Sequence, residues 1–312
     1  MPVFTTLTRI GLVGYGEVGR ILAEDLRARD LRVSTYDLKL DGAAGSPLRE
    51  HAERHGVALA QSHAALTQQA DLIVSAVTAS QAVPVAEACA PAVRAGALFL
   101  DFNSASPGAK IRAAGLIEAA GGRYVEGAVM TSIPPYRIRV PLLLGGPHAA
   151  DASPALEALG FAPKVASDRL GVASATKMCR SVMVKGLEAM VIESFTAARS
   201  YGVEAALIAS LRETFPGVDW EKQAAYFFQR AVEHGRRRAE EMHEAAITML
   251  VAGLEPWSAA GTAERQAWVA DLAEQGLFVR QRHETAARDW RVEADRILGH
   301  LEASRIERRK KR

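Results

Sequence analysis

Residues 9–20, Arg9-Ile-Gly-Leu-Val-Gly-Tyr-Gly-Glu-Val-Gly-Arg20, decide the fold of this 312-residue chain. Ile10, Leu12 and Val13 form a short apolar run that predicts a buried strand. Glycines then recur in the spacing G-x-G-x-x-G over Gly14–Gly19, and a helical pattern follows. A strand that turns tightly over glycines into a helix is the opening unit of a doubly wound α/β domain.

The glycine turn also indicates a site for a dinucleotide. Gly14 allows the tight turn, and Gly16 lets the backbone approach a pyrophosphate. The pyrophosphate then rests on the N-terminus of the helix, where unpaired N–H groups and the helix dipole favour anions. We therefore expect contacts to the cofactor from Gly14, Tyr15, Gly16, Glu17 and Val18.

An acidic residue stands where the ribose of such a cofactor binds. The second predicted strand ends in Asp37, 18 residues after Gly19. An acidic side chain at this distance accepts hydrogen bonds from the adenosine ribose hydroxyls. Because its charge repels a 2′-phosphate, Asp37 favours NAD over NADP. Lys39 and Arg49 are near in sequence, so NADP is not excluded.

Strand and helix patterns alternate to about residue 165, which predicts a mostly parallel, doubly wound sheet. Ligands bind such sheets at the carboxyl ends of the strands. Val77, Thr78 and Gln81 follow one predicted strand, so they are candidates for the wall around the nicotinamide. An ordinary strand-to-helix loop is the alternative. Asn103 and Ser104 follow the next strand and offer hydrogen-bond donors at the same edge.

Helical patterns replace the strands further along the chain. We expect two domains: residues 1–168 with the Rossmann-type sheet, and residues 169–312 entirely helical. The first of these helices is predicted from Gly171 to about Ser200 and joins the domains. Apolar residues surround it almost completely, which is typical of a buried helix. Its charged residues, beginning with Lys177, therefore need partners, a ligand or water.

Composition limits the class of protein. Hydrophobic residues make up 49% of the chain and charged residues 24%, which excludes a disordered chain. No apolar run approaches the roughly 18 residues of a membrane span, and the first nine residues lack the layout of a signal peptide. We therefore expect a soluble cytoplasmic protein that does not bind membranes.

Two further features bear on partners. Residues 303–312 contain six Arg or Lys and one Glu. Since no aromatic residue is interleaved with them, a solvated helix end explains this tail better than nucleic-acid binding.

Cys89 and Cys179 fit neither a disulfide framework nor a zinc site. We expect two buried thiols and no metal site.

Together these features resemble the β-hydroxyacid dehydrogenase superfamily, which includes 6-phosphogluconate and 3-hydroxyisobutyrate dehydrogenases. The resemblance covers most of the chain and is strong at four places: Gly14–Gly19, Asp101–Pro107, residues 124–132 and Gly171–Lys177. It implies an NAD(P)-dependent oxidoreductase acting on CH–OH donors, in which Lys177 is the catalytic acid/base. Asn103 and Ser104 match the family's asparagine or serine after the fifth strand.

Two departures from the family concern the substrate. The family's Ser-Gly-Gly, which receives the substrate carboxylate, is replaced by Met130-Thr131-Ser132. The asparagine one turn after the lysine is replaced by Arg180-Ser181. We expect the substrate to contact these residues, Ser104, and Arg237 in the run 234–244. That run, with Lys-Met-Cys-Arg-Ser at 177–181, resembles a poorly characterised 6-phosphogluconate-dehydrogenase-like branch with its own C-terminal domain.

The predicted reaction is hydride transfer between the nicotinamide and a CH–OH or C=O carbon of a small anionic hydroxyacid or sugar acid. Lys177 takes the hydroxyl proton during oxidation, and Asn103 polarises the reacting oxygen. A lysine does this near neutral pH only if burial or a positive neighbour lowers its pKa. Arg180 either binds a carboxylate in two-pronged fashion or pairs with an acid such as Glu188. Arg137 either reaches an anion or stays an exposed loop arginine.

The sequence also allows other functions. An imine reductase has the same architecture, although such sites usually carry Asp or Tyr in place of the lysine and use NADPH. A catalytically inactive regulatory protein that keeps the nucleotide fold is a second alternative. The spare arginines also allow a phosphorylated substrate. A helical domain of this size leaves apolar surface to cover, which predicts a homodimer through that domain.

Overall fold

A computed structural model describes residues 7–42, 45–278 and 289–310. The chain divides into two compact units between Cys179 and Arg180, inside one long helix. The boundary drawn from sequence at residues 168–169 precedes this helix, because the strand patterns end there. The first turns of the helix nevertheless belong to the sheet-containing unit.

The described part of the first unit forms an eight-stranded sheet in the order β3-β2-β1-β4-β5-β6-β7-β8. Its neighbours pair in parallel except for β6 and β7, which are antiparallel. The strands are β1 (Arg9–Val13), β2 (Arg32–Tyr36), β3 (Ala58–Leu59), β4 (Leu72–Ser75), β5 (Leu98–Asp101), β6 (Arg123–Val129), β7 (Pro141–Gly145) and β8 (Ala162–Ser167).

Helices connect the strands of this unit. They are α1 (Glu17–Arg27), α2 (Ser46–Arg54), α3 (His63–Thr67), α4 (Ala82–Cys89), α5 (Pro107–Ala119) and α6 (Ala149–Ala158). Every residue of β4 and β5 is buried, as expected for central strands covered on both faces. Leu72 and Leu100 belong to the core on one face of the sheet, and Ile73 and Phe99 to the core on the other.

The register of the sheet aligns the ends of its central strands. Val13 of β1 pairs with Tyr36 of β2 and with Ser75 of β4, and Ser75 pairs with Asp101 of β5. The residues that follow these four positions therefore share the carboxyl edge of the sheet. This edge is where ligands bind in doubly wound folds.

The remaining described helices begin with α7, which starts in the first unit and ends in the second. They are α7 (Val172–Tyr201), α8 (Glu204–Thr214), α9 (Trp220–Val251), α10 (Trp257–Glu274) and α11 (Trp290–Lys310). In the second unit the rings of Phe195 and Phe228 pack against Trp290, with centroids 5.0 and 6.2 Å away. None of the described helices combines the length and apolarity that crossing a membrane requires.

The predicted fold is confirmed: a mostly parallel sheet with helices is followed by a helical region. Two strands were not predicted. β8 is an edge strand with mostly exposed residues, so it has no apolar run, and β3 has only two residues, both exposed. The helical pattern over residues 278–303 predicts a last helix there, and the structure has one at Trp290–Lys310. Residues 279–288 of that prediction, 311–312 of the basic tail and 1–6 of the N-terminal prediction lie outside the described residues.

The two cysteines differ in their surroundings. Cys89 is buried, and burial raises the pKa of its thiol to about 11. Cys179 is exposed, so the prediction of a buried thiol is wrong there. Its neighbour Met178 is fully buried, and the next residue along an α-helix is turned by about 100° from it. The helix therefore directs Met178 inward and Cys179 outward.

Candidate active site

The glycine turn after β1 has the close contacts that its sequence predicts. Gly14 has a φ of +92°, and a Cβ there would lie 2.5 Å from the carbonyl oxygen of Ala76. A Cβ on Gly19 would lie 2.1 Å from the carbonyl oxygen of Gly14. In contrast, no described atom lies within 4 Å of a Cβ built on Gly16. The turn is therefore closely packed at Gly14 and Gly19. Its backbone is open at Gly16, where a pyrophosphate would approach.

Asp37 is bound directly to this turn. Its Oδ2 accepts a hydrogen bond from the backbone N–H of Tyr15 at 2.7 Å, and its Oδ1 accepts one from the N–H of Lys39 at 2.9 Å. Gly14 N–H donates to the carbonyl oxygen of Tyr36, 2.9 Å away. The carboxylate is therefore held at the carboxyl edge, in the position from which an acidic residue meets ribose hydroxyls.

A chain of hydrogen bonds extends from the turn, buried at Tyr15 and partly exposed at Arg137. The Tyr15 ring is fully buried, burial raises its pKa to about 12, and its hydroxyl lies 2.9 Å from His51 Nδ1. His51 Nε2 lies 2.9 Å from Glu24 Oε1. Arg137 donates to Glu24 Oε2 at 2.6 Å and to Asp25 Oδ1 at 2.7 Å. Arg137, with 43% of its side chain exposed, is thus paired with two carboxylates of α1.

Asn103 links the ends of β4 and β5. Its Oδ1 accepts a hydrogen bond from Val77 N–H at 2.7 Å, and its Nδ2 donates to Ser75 Oγ at 2.9 Å. Only 2% of the residue is exposed. Asn103 therefore orients the two loops, with its side-chain amide already engaged on both sides. Thr78 and Gln81 of the same loop are exposed.

Lys177 meets the neighbouring Ser104. Its Nζ donates a hydrogen bond to Ser104 Oγ over 2.6 Å, and the two side chains are partly buried. Ser104 follows β5, whereas Lys177 lies on α7, 73 residues further along the chain. Folding thus brings together two residues that the sequence predicts for one site.

Glu126 fixes the start of the helix that carries Lys177, and the sequence did not predict it. This fully buried carboxylate of β6 accepts a hydrogen bond from Gly171 N–H at 2.7 Å and another from Ser174 N–H. Both donors belong to the start of α7, where unpaired N–H groups and the helix dipole favour a negative charge. Opposite it, a Cβ on Gly145 would come within 2.8 Å of Glu126 Oε2.

A second buried charge cluster supports the end of β5. Lys110 Nζ lies 2.8 Å from Asp101 Oδ1, and Tyr124 donates its hydroxyl proton to Asp101 Oδ2 at 2.6 Å. Asn103 N–H donates to Asp101 Oδ1 at 2.8 Å. Burial and the Asp101 charge raise the pKa of Tyr124 well above its usual value. In the sequence, the only sign of this cluster is Lys110, a lysine within the alanine-rich stretch that forms α5.

Residues 130–132 form an elbow after β6 that carries two hydroxyl groups. Met130 N–H donates to the carbonyl oxygen of Pro141 at 3.0 Å, which fixes the backbone. Thr131 is exposed and Ser132 is half-buried. Neither hydroxyl is bonded to another residue in the described ranges, so both can bind a ligand.

The predicted substrate residues of the second unit have varied surroundings. Arg180 is exposed, and its alternative role as the partner of Glu188 is wrong, since Arg238 Nε donates to Glu188 Oε2 at 2.8 Å. Ser181 is buried and accepts a hydrogen bond from Lys185 Nζ at 3.0 Å. Arg237 is 45% exposed, with its Nε 4.0 Å from Glu241.

A glycine turn bound to an acidic residue, at the sheet edge that also bears Asn103 and Ser104, is the arrangement of a dinucleotide-binding domain. Residues 9–160 match the NAD binding domain of 6-phosphogluconate dehydrogenase, and residues 198–269 match a domain of unknown function, DUF1932. The chain belongs to the β-hydroxyacid dehydrogenase superfamily, in the branch that carries both domains.

Solved structures with this architecture cover nearly the whole chain. A conserved hypothetical protein from Sinorhizobium meliloti 1021 is 36% identical, with a TM-score of 0.72 over 94% of this chain and 98% of that one. The conserved protein MTH1747, described as structurally similar to 3-hydroxyacid dehydrogenases, is 29% identical, with a TM-score of 0.66 over 86% and 99%. The Mycobacterium tuberculosis 3-hydroxyisobutyrate dehydrogenase, at 17% identity and a TM-score of 0.65 over 93% and 99%, shows the shared fold.

Proposed function

We propose that this protein is an NAD(P)-dependent oxidoreductase that transfers a hydride between the nicotinamide and the CH–OH or C=O carbon of a small anionic hydroxyacid or sugar acid. The contact between Lys177 Nζ and Ser104 Oγ carries this proposal. It joins a proton-transfer group to the sheet edge at which cofactors bind in doubly wound folds.

The residues of the first unit fit the cofactor. Gly14–Val18 would hold the pyrophosphate, because the open face of Gly16 admits it and the N-terminus of α1 favours its charge. Asp37 would accept hydrogen bonds from the adenosine ribose. Val77 and Thr78, after β4, would line the nicotinamide half. When bound, the nicotinamide supplies the carbon that accepts or gives the hydride.

Lys177 and Ser104 would handle the proton. An amine that donates one N–H to Ser104 Oγ can direct its lone pair elsewhere, toward a substrate hydroxyl. Ser104 keeps its own O–H, which can donate to the reacting oxygen. Asn103 would serve as a positioning residue for this pair, since its amide joins the loops after β4 and β5. Ser104 thus replaces Asn103 in the polarising role.

The elbow after β6 would contact the substrate's acid group. Thr131 and Ser132 offer hydroxyls, and Met130 stands with them where the family has Ser-Gly-Gly. Arg180, Ser181 and Arg237 stay predicted substrate contacts.

A panel of substrates tests the proposal. Purified protein is assayed with hydroxyacids and sugar acids, phosphorylated and not, with NAD and with NADP, by the absorbance of the reduced cofactor. We expect turnover of at least one hydroxyacid. Reduction of cyclic imines without oxidation of any hydroxyacid would favour the imine reductase alternative. Cofactor binding with no turnover on either panel would favour the regulatory protein.

Asp37 is expected to set the preference for NAD. In the Asp37→Asn variant, the ratio of the NADPH to the NADH dissociation constant should fall about tenfold or more, because a charged acceptor for the ribose is lost and the repulsion of a 2′-phosphate is removed. Fluorescence titration with both reduced cofactors measures the ratio. Asp41→Asn, the same change at an exposed residue nearby, is the control. A wild-type preference for NADPH would contradict this expectation.

We propose a homodimer through the helical unit, because Met183 and Met190 of α7 are 66% and 60% exposed and Trp257 of α10 is exposed as well. We also propose a cytoplasmic location.

A further inference from the structure

The second unit contains a row of basic residues on one face of α9. Arg230, His234 and Arg237 are separated by four and three residues, a spacing that aligns side chains along a helix. These three residues are here called the α9 basic stripe. Seven residues of helix rise about 10.5 Å, so two long arginine side chains at its ends can converge on one ligand.

Neighbouring cations on α7 and α9 already have acidic partners. Arg238 is paired with Glu188, which also accepts a hydrogen bond from Gln266 Nε2 at 3.1 Å. Lys185 Nζ lies 2.8 Å from Glu241 Oε2. These ion pairs engage Glu188 and Glu241, two of the carboxylates near the stripe. The Nε of Arg237 is 4.0 Å from Glu241 Oε1, a distance at the upper limit for an ion pair.

Arg230 has no such partner. Its side chain is half-buried, and no carboxylate in the described parts of the chain lies within 4 Å of its guanidinium. Its guanidinium carbon lies 6.0 Å from the centroid of the Tyr226 ring. Burial and the charge of Arg238 lower the pKa of Arg230. A partly dehydrated cation of this kind is unfavourable unless an anion accompanies it.

The surroundings of His234 also have an excess of positive charge. Burial and the charges of Arg230, Arg237 and Arg238 lower its pKa to about 4. The charged groups around the stripe are the cations Lys185, Arg230, Arg237 and Arg238 and the acids Glu188, Glu233 and Glu241. Cations outnumber acids although Glu233, 3.9 Å from His234 Nε2, is included. A neutral His234 can donate an N–H to an anion.

We propose that the α9 basic stripe binds a compact oxyanion, the carboxylate or phosphate group of a small molecule. Arginine presents two parallel N–H donors that match either group. The binding of this oxyanion does not depend on the proposed function. Six of the eight titratable groups named here lie on α9, and Lys185 and Glu188 lie on α7, so all eight belong to the second unit.

Calorimetric titration of the full chain with orthophosphate and, separately, with malonate at low ionic strength tests the site. We expect wild-type binding that weakens about tenfold or more in Arg230→Gln and in Arg237→Gln. Arg236→Gln is the matched control: Arg236 precedes Arg237 on the same helix and is 49% exposed, but it pairs with Asp271 and Glu274. Its affinity should match wild type. Absence of binding to both probes, or equal affinity in all variants, would overturn the proposal.

A second measurement does not depend on the variants. NMR titration of His234 should show its pKa rising toward the ordinary histidine value when the anion binds, because the bound charge offsets the arginines. An unchanged pKa at saturating phosphate and malonate would refute the site. Phosphate binding without malonate binding identifies a phosphorylated group, and the reverse identifies a carboxylate.

Two outcomes separate this site from the proposed function. If Arg230 is needed for anion binding but no hydroxyacid is turned over, the oxidoreductase fails and the anion site stands. If a hydroxyacid is turned over but neither orthophosphate nor malonate binds, the oxidoreductase stands and the anion site fails. Circular dichroism confirms beforehand that each variant is folded.

Discussion

The Lys177→Met variant is expected to turn over substrate about 10²–10⁴-fold more slowly than wild type, the range that removal of a general acid or base typically produces. Methionine keeps the length and much of the volume of the side chain but cannot accept or donate the proton. It also removes the hydrogen bond to Ser104 Oγ. Since Lys177 is expected to act on the substrate and not on the dinucleotide, the affinity for NADH should stay close to wild type.

The measurement is kcat and kcat/KM on a substrate from the panel, alongside NADH titration. Lys164→Met, an exposed lysine of the same unit, is the control for loss of one positive charge. Ser104→Ala should give a smaller loss, since the amine remains. If Lys177→Met retained turnover within about threefold of wild type, proton transfer by this lysine would be wrong.

The Lys110→Met variant is expected to lose about 3–5 kcal/mol of unfolding free energy, because removing one member of a buried ion pair leaves the other charge without a partner. Lys110 is 1% exposed and Asp101 is fully buried. The remaining groups on Asp101, the Tyr124 hydroxyl and Asn103 N–H, would stabilise the carboxylate only in part. The ends of β5 and of its loop would lose order first.

Urea denaturation followed by circular dichroism measures this loss. Tryptophan fluorescence would not serve, since Trp220, Trp257, Trp268 and Trp290 all lie in the second unit. The double variant Lys110→Met with Asp101→Asn should recover part of the stability, because it removes the unpaired charge. Lys164→Met again serves as an exposed control. A loss below about 1 kcal/mol in Lys110→Met would mean that the ion pair between Lys110 and Asp101 does not stabilise the fold as its geometry indicates.

The fold could be predicted from short stretches with strong local patterns. The glycine turn, the buried strands β4 and β5 and the long helix α7 each have a pattern that permits few structures. The predicted end of α7 at Ser200 lies one residue from its end at Tyr201. β8 was not predicted, for a physical reason. Its residues are mostly exposed, so pairing with β7 forms the strand, and hydrophobic periodicity does not reveal it.

The partners of side chains were much less predictable than the elements that carry them. Lys177 and Ser104 could be proposed for one site from the family resemblance. The partner of Glu188 could not, because Arg238 lies 50 residues away and Arg180 is closer in sequence. Arg137 similarly finds Glu24 more than 110 residues back in the chain. A sequence gives the spacing of charges along a helix, whereas their pairing depends on which elements fold against one another.

The carboxylate of Glu126 has a consequence for local unfolding. The first turn of a helix ordinarily frays, and its amide hydrogens exchange with solvent quickly because they have no acceptor inside the helix. In α7 the amides of Gly171 and Ser174 have a buried acceptor on β6. Their exchange therefore requires these contacts between β6 and the helix start to open. We expect both amides to exchange more slowly than those of an ordinary first helix turn.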